Sequence, residues 1–208
     1  MFDGSVYQRC NVRTKPAVRS QGQAAERTAI LGARWAGREE GSLFMDSPSD
    51  SPRHVVIVWT GNICRSPMAS GILQQRLAQD GLANSIMVAS AGTRGVDGSF
   101  ASPHAVQAMA ARGVDVSNHR VRTLRPIEER RLDLILGLED FHVRAVLRAR
   151  AAAKDRVLLF SEIAGENAAV EDAYGLPIGA YRECAEESHR LLTNGYADIL
   201  RRLGRLAS

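Results

Sequence analysis

From Arg53 onward, apolar segments of two kinds alternate along the chain. His54–Trp59 (HVVIVW) is a continuous apolar run, the pattern of a strand buried on both faces. Ser66–Gln79 carries Met68, Ile72, Leu73 and Leu77 at helical spacing, with Pro67 suited to a first turn and Gly81 to a stop. Ile86–Ser90 reads as a second strand, Pro103–Arg112 as a helix ended by Gly113, and Leu132–Gly137 as a third strand. Glu139–Arg150 follows as a helix and Arg156–Phe160 as a fourth strand. Ile178–Leu203 is a terminal helix with an interruption expected at Asn194-Gly195. Alternating strands and helices predict a three-layer α/β/α domain around a four-stranded parallel sheet. Ligands of such sheets bind beyond the carboxyl ends of the strands. The segment after the first strand is therefore where chemistry is expected.

Residues 1–52 lack sustained periodicity and read as a disordered extension ahead of a domain spanning 53–208. Within the extension, Ala24–Gly37 has the pattern of a short amphipathic helix, and the Asp46–Arg53 tract is a loop by its Ser and Pro content. The extension is read as a start-site artefact, with Met45 the true start, or as a passive tail; a regulatory or targeting arm is the competing reading. Its arginines suit a transit peptide, but Asp3, Glu26, Glu39 and Glu40 argue against one.

Composition narrows the function classes. The 208 residues are 45% apolar and 24% charged, as in an ordinary globular protein, and no apolar run approaches the ~18 residues of a membrane span. The net charge of +4 is spread along the chain and aromatics are only 5%, so neither a nucleic-acid partner nor a membrane partner is expected. Cys10, Cys64 and Cys184 are far apart and odd in number, which fits a reducing, cytoplasmic setting better than a disulfide framework.

The segment Val58-Trp59-Thr60-Gly61-Asn62-Ile63-Cys64-Arg65-Ser66-Pro67 runs from a strand end into a helix N-terminus. Such a turn suits an anion: successive backbone N–H groups point inward and the helix start adds a positive dipole end. Gly61 and Asn62 tolerate unusual backbone conformations, and Arg65 can grip two phosphate oxygens. The low-molecular-weight protein-tyrosine phosphatases carry Cys-x-Gly-Asn-x-Cys-Arg-Ser-Pro after their first strand. This chain resembles them at Gly61, Asn62, Cys64, Arg65, Ser66 and Pro67, and departs at Trp59, where the family has its cysteine. Ser90-Ala-Gly-Thr93, the segment Gly113–Arg120 ending in His119-Arg120, Asp133–Glu139, and Val170–Gly175 resemble further family segments, over about residues 53–205.

The resemblance implies hydrolysis of phosphotyrosine in proteins, or of small phosphomonoesters, with no metal or organic cofactor. It places Trp59 at the nucleophile position, Arg65 at the phosphate clamp and Asp172 at the general acid. Thr60, Gly61, Asn62, Ile63, Cys64, Arg65 and Ser66 form the phosphate-binding loop, supported by Ser90 and His119. Ala173 stands in place of the family's Pro, leaving Asp172 less firmly aimed, and Tyr174 resembles an exposed tyrosine beside the acid. Ser66 either serves the missing thiolate or caps the helix. Cys184 is expected to pack against the sheet.

An indole offers no nucleophilic lone pair and is far larger than a thiol, so the loop is expected to be filled or distorted and the chain catalytically silent or weak, a pseudophosphatase with a possible protein partner. The alternatives are an active phosphatase, with Trp59 a reading error (Cys and Trp codons differ in one base) or Cys64 substituting; a non-catalytic regulatory protein; and an arsenate reductase, disfavoured by the shortage of redox cysteines.

Overall fold

A computed structural model of the protein describes residues 51–125, 132–149 and 151–206. Residues 1–50 of the extension, with the expected helix Ala24–Gly37, and Arg150 lie outside the described residues. Four strands, β1 (Arg53–Trp59), β2 (Ile86–Gly92), β3 (Leu134–Gly137) and β4 (Val157–Leu159), form one parallel sheet in the order β2-β1-β3-β4. The connecting helices are α1 (Arg65–Gln79), α2 (Pro103–Ala110), α3 (Asp140–Ala149) and α4 (Ile178–Arg202). Short 3-10 turns at Ala151–Arg156 and Phe160–Ala164 flank β4.

Strand alternation sorts β1 between two cores. Val55, Ile57 and Trp59 face the layer built from α1, α2 and α4, where Met68, Leu73, Leu136, Phe160 and Ile199 are buried. Val56 and Val58 face the opposite side with Ile135, Val146 and Val157, beneath α3. Trp59 thus points into the same layer as the helix that follows it.

The elements match expectation with three informative differences. The third strand begins at Leu134, two residues late. Its predecessor Asp133 accepts hydrogen bonds from Arg53 Nη1 (2.9 Å) and His54 N (2.7 Å), tying the start of β1 to that of β3. The fourth strand is trimmed to three residues because Phe160 begins a 3-10 turn. The last helix runs unbroken through Asn194-Gly195. A Cβ at Gly195 would lie 2.7 Å from the carbonyl oxygen of Ile163, so the glycine lets the helix pass close to the 3-10 turn after β4. Sequence alone reads the same glycine as a breaker.

Candidate active site

The loop Thr60–Cys64 leaves β1 at the carboxyl edge of the sheet and enters α1. Asn62 holds it in shape. Its φ of 54° is the left-handed region that Asn tolerates better than most residues, and it is fully buried. Its side chain donates to Ser66 Oγ (3.0 Å) and Ser90 Oγ (2.9 Å), and its Oδ1 accepts from Arg122 N (3.0 Å). Its backbone carbonyl accepts from His119 Nε2 (2.7 Å). Burial holds His119 below its ordinary pKa, so the neutral Nε2–H tautomer is the donor. Ser90 and His119, the two residues expected to support the loop, therefore both bond Asn62, one at its side chain and the other at its carbonyl. Ser66 does not cap α1: Cys64 takes the cap position without a side-chain bond, and the Ser66 hydroxyl serves Asn62 instead.

The β2 end fits against the loop by close backbone approach. Thr93 N donates to Trp59 O and Arg94 N to Thr60 O, both at 2.9 Å. A Cβ on Gly92 would stand 2.8 Å from Thr60 O, which accounts for glycine in the Ser90-Ala-Gly-Thr93 segment.

His142 was not singled out by the sequence reading. Fully buried in the first turn of α3, it bridges the loop to the β3–α3 turn. Glu139 N–H must donate to its Nδ1 (3.1 Å), so a neutral ring presents Nε2–H to Thr60 Oγ1 (2.9 Å). Burial pushes its pKa down to about 4, against the smaller opposing pull of Glu139, so the ring is neutral at pH 7. The available signal was its place three residues after Glu139 at a strand-to-helix turn.

Arg65 is 1% exposed. Its Nη1 donates to Val170 O (2.6 Å), and its Nη2 meets Glu139 Oε1 (2.5 Å) and Asp172 Oδ2 (3.0 Å). Asp172 is exposed on the loop before α4, where its Oδ1 accepts from Tyr174 N (3.0 Å). The structure thus brings Arg65 and Asp172 together, and adds Glu139, which was read only as a helix start and the end of a family-like segment. Ala173 is buried in the core, while Tyr174 is exposed.

Trp59 is 4% exposed and sits at the centre of this group. Its six-membered ring lies over Gly61: a Cβ there would be 3.2 Å from Cζ3 and 3.6 Å from Cη2. The Arg65 guanidinium stands 5.0 Å from its ring centroid, within cation–π range, and the Tyr174 ring is tilted at 6.3 Å. The indole Nε1 and the Arg65 Nε are both buried without an acceptor.

Cys64 points elsewhere. Its thiol is fully buried, donates to Ser102 Oγ (3.4 Å), and lies 3.7 Å from Tyr181 OH. Burial raises its pKa, outweighing those hydrogen bonds. Cys184 is packed in the core of the α4 layer, its thiol pushed up to about 12 by burial. Both cysteines are free thiols. Among the described residues no group of three His, Cys, Asp or Glu is placed to hold a metal ion, and no helix is long and apolar enough to cross a membrane.

A strand–loop–helix turn with a buried arginine and a facing aspartate, on a four-stranded parallel sheet, is the arrangement of a phosphatase-type α/β domain. The sequence profile of the low molecular weight phosphotyrosine protein phosphatases matches residues 54–203, and the chain belongs to that family. It is 36% identical over 139 residues to a low molecular weight protein-tyrosine-phosphatase of Streptomyces coelicolor, covering 64% of this chain and 84% of the relative. A protein-arginine-phosphatase of Bacillus subtilis is 30% identical over 139 residues, covering 66% and 91%. The crystal structure of the low molecular weight protein tyrosine phosphatase from T. tengcongensis superposes with a TM-score of 0.65 at 34% identity, covering 68% of this chain and 96% of that one.

Proposed function

We propose that this chain is a pseudophosphatase: a domain of the phosphotyrosine phosphatase family in which the nucleophilic step is missing. One observation carries the reading. The Trp59 ring lies against Gly61 inside the loop, while Glu139, Asp172 and the Val170 carbonyl engage the Arg65 guanidinium. An indole cannot attack phosphorus. An arginine already paired with two carboxylates and stacked on that indole must be freed before it can hold a phosphoryl group. Removing the nucleophile of a covalent mechanism costs on the order of 10³-fold in rate or more.

The substrate the scaffold is built for is a phosphomonoester of a phosphoprotein, phosphotyrosine by family. A thiolate in place of the indole would sit at the α1 N-terminus, where the helix start favours negative charge. Asp172 would protonate the leaving oxygen once released from Arg65. Cys64 is a poor substitute, because its raised pKa and full burial both oppose thiolate attack. A partner-binding role is supported by exposed Tyr174 and Leu176 beside Asp172 and exposed Phe141 beside His142. The two unpaired thiols, Cys64 and Cys184, suit a cytoplasmic setting.

The test is hydrolysis of p-nitrophenyl phosphate between pH 5 and 7 by the full chain and its Trp59→Cys variant. The full chain should show no turnover above buffer and the variant should turn over. Turnover by the unaltered chain that is lost in Cys64→Ser would overturn the proposal.

A further inference from the structure

Apart from the loop, the molecule has a groove of about 350 Å³ between the segment before α4 and the first half of α4 itself. Its floor is apolar, with Val170, Ala173 and Ala180, and four carboxylates stand along it. Asp172 is paired with Arg65 and Glu187 with Arg190. Glu171 and Glu183 are exposed and have no cationic partner among the described residues. An apolar floor with unneutralised carboxylates calls for an occupant that is amphipathic and basic.

The chain carries such a segment. Between Met1 and Arg38 it has seven Arg and Lys against two Asp and Glu. Within that span, Arg27, Arg34 and Arg38 fall on one side at helical spacing, with Ala24, Leu31 and Trp35 directly beside them. The reach is sufficient. Ser51 is held at the far end of α4, where Arg205 Nη2 donates to its carbonyl (3.2 Å). From Arg202 back to Glu183, α4 rises roughly 29 Å at 1.5 Å per residue. The ~13 residues from Arg38 to Ser51 can extend to ~43 Å at about 3.3 Å each.

We propose that residues 24–38 dock in this groove within the same chain, their arginines against Glu171 and Glu183 and Ala24, Leu31 and Trp35 on the apolar floor. This inference is independent of whether Trp59 silences the site.

Limited trypsin digestion of the full chain tests it. Cleavage after Arg27, Arg34 and Arg38 should run at least about tenfold slower than in a synthetic peptide of residues 22–42. Arg9 and Arg13 lie outside the docked span and should be cut at an unprotected rate. The surface variant Glu171→Lys/Glu183→Lys should lose the protection while keeping its melting temperature, and 0.5 M salt should weaken it in the unaltered chain. Cleavage of the unaltered chain at the peptide's rate would overturn the proposal, as would protection that survives both charge reversals. Protection that fades on dilution would show instead that a second copy supplies the segment, and would overturn docking within one chain.

Discussion

Replacing Trp59 with alanine separates the two roles proposed for the indole, filling space and blocking an anion. Truncating a buried Trp costs about 3–5 kcal/mol through lost transfer energy and the cavity left behind. Two features of this site reduce that figure. The indole Nε1 is buried without an acceptor, a penalty of about 1–3 kcal/mol that the variant no longer bears. The vacated space borders the Arg65 guanidinium, a charged group that water can solvate, so it need not remain empty. The expected net loss is about 1–3 kcal/mol, or roughly 2–12 °C in melting temperature for a domain of this size. Phosphate should then restore part of it. With the indole gone, the loop and the helix start present N–H donors to an oxyanion, and Arg65 can turn to it. For a Kd of about 1 mM, 10 mM phosphate would return about 1.4 kcal/mol by mass action. The assay is urea unfolding of both chains with and without phosphate, at ionic strength matched with chloride. The unaltered chain should gain nothing specific. Equal stabilisation of both chains by phosphate would refute the argument that the indole closes the site, and no gain in the alanine variant would show that Glu139 and Asp172 alone keep Arg65 from an anion.

Other consequences follow from the residues around the loop. His142 has its pKa held at about 4 in the folded chain against an ordinary value near 6.5, so the unfolded chain binds more protons between those values. Stability should be fully present above pH 6.5 and fall on the order of 3 kcal/mol as pH drops towards 4; His142→Gln should flatten that slope in pH-dependent denaturation, and an unchanged slope would assign the acid sensitivity elsewhere. Asn62→Ala should cost about 3–4 kcal/mol, since it strands the partners Ser66, Ser90 and Arg122 N and puts a Cβ without compensation at positive φ. Asn62→Gly should recover roughly 1 kcal/mol of that by relieving the backbone alone, so equal melting temperatures for the two variants would count against the φ argument. Gly195→Ala should lower stability by about 2 kcal/mol despite a helix-propensity gain of about 1 kcal/mol, because the added Cβ meets the Ile163 backbone; a higher melting temperature would restore the reading of Gly195 as a mere weak point.

Much of this protein was legible in its residue pattern. The run His54–Trp59, the helix carrying Met68, Ile72, Leu73 and Leu77, and their alternation with later strands were sufficient for the parallel sheet, because burial on both faces and a 3.6-residue period are local properties of a chain. The strand–loop–helix segment around Gly61, Asn62 and Arg65 was legible for the same reason: backbone conformation at a turn depends on the residues of the turn. What lay beyond the pattern depends on contacts between distant segments. That Glu139 and Asp172 converge on Arg65 across 74 and 107 positions, that His142 locks Thr60, and that Gly195 is a contact and not a break were decided only when the sheet brought those segments to one edge. A hydrogen bond or an ion pair acts over about 3 Å. Sequence separation carries no information about it until the chain has folded.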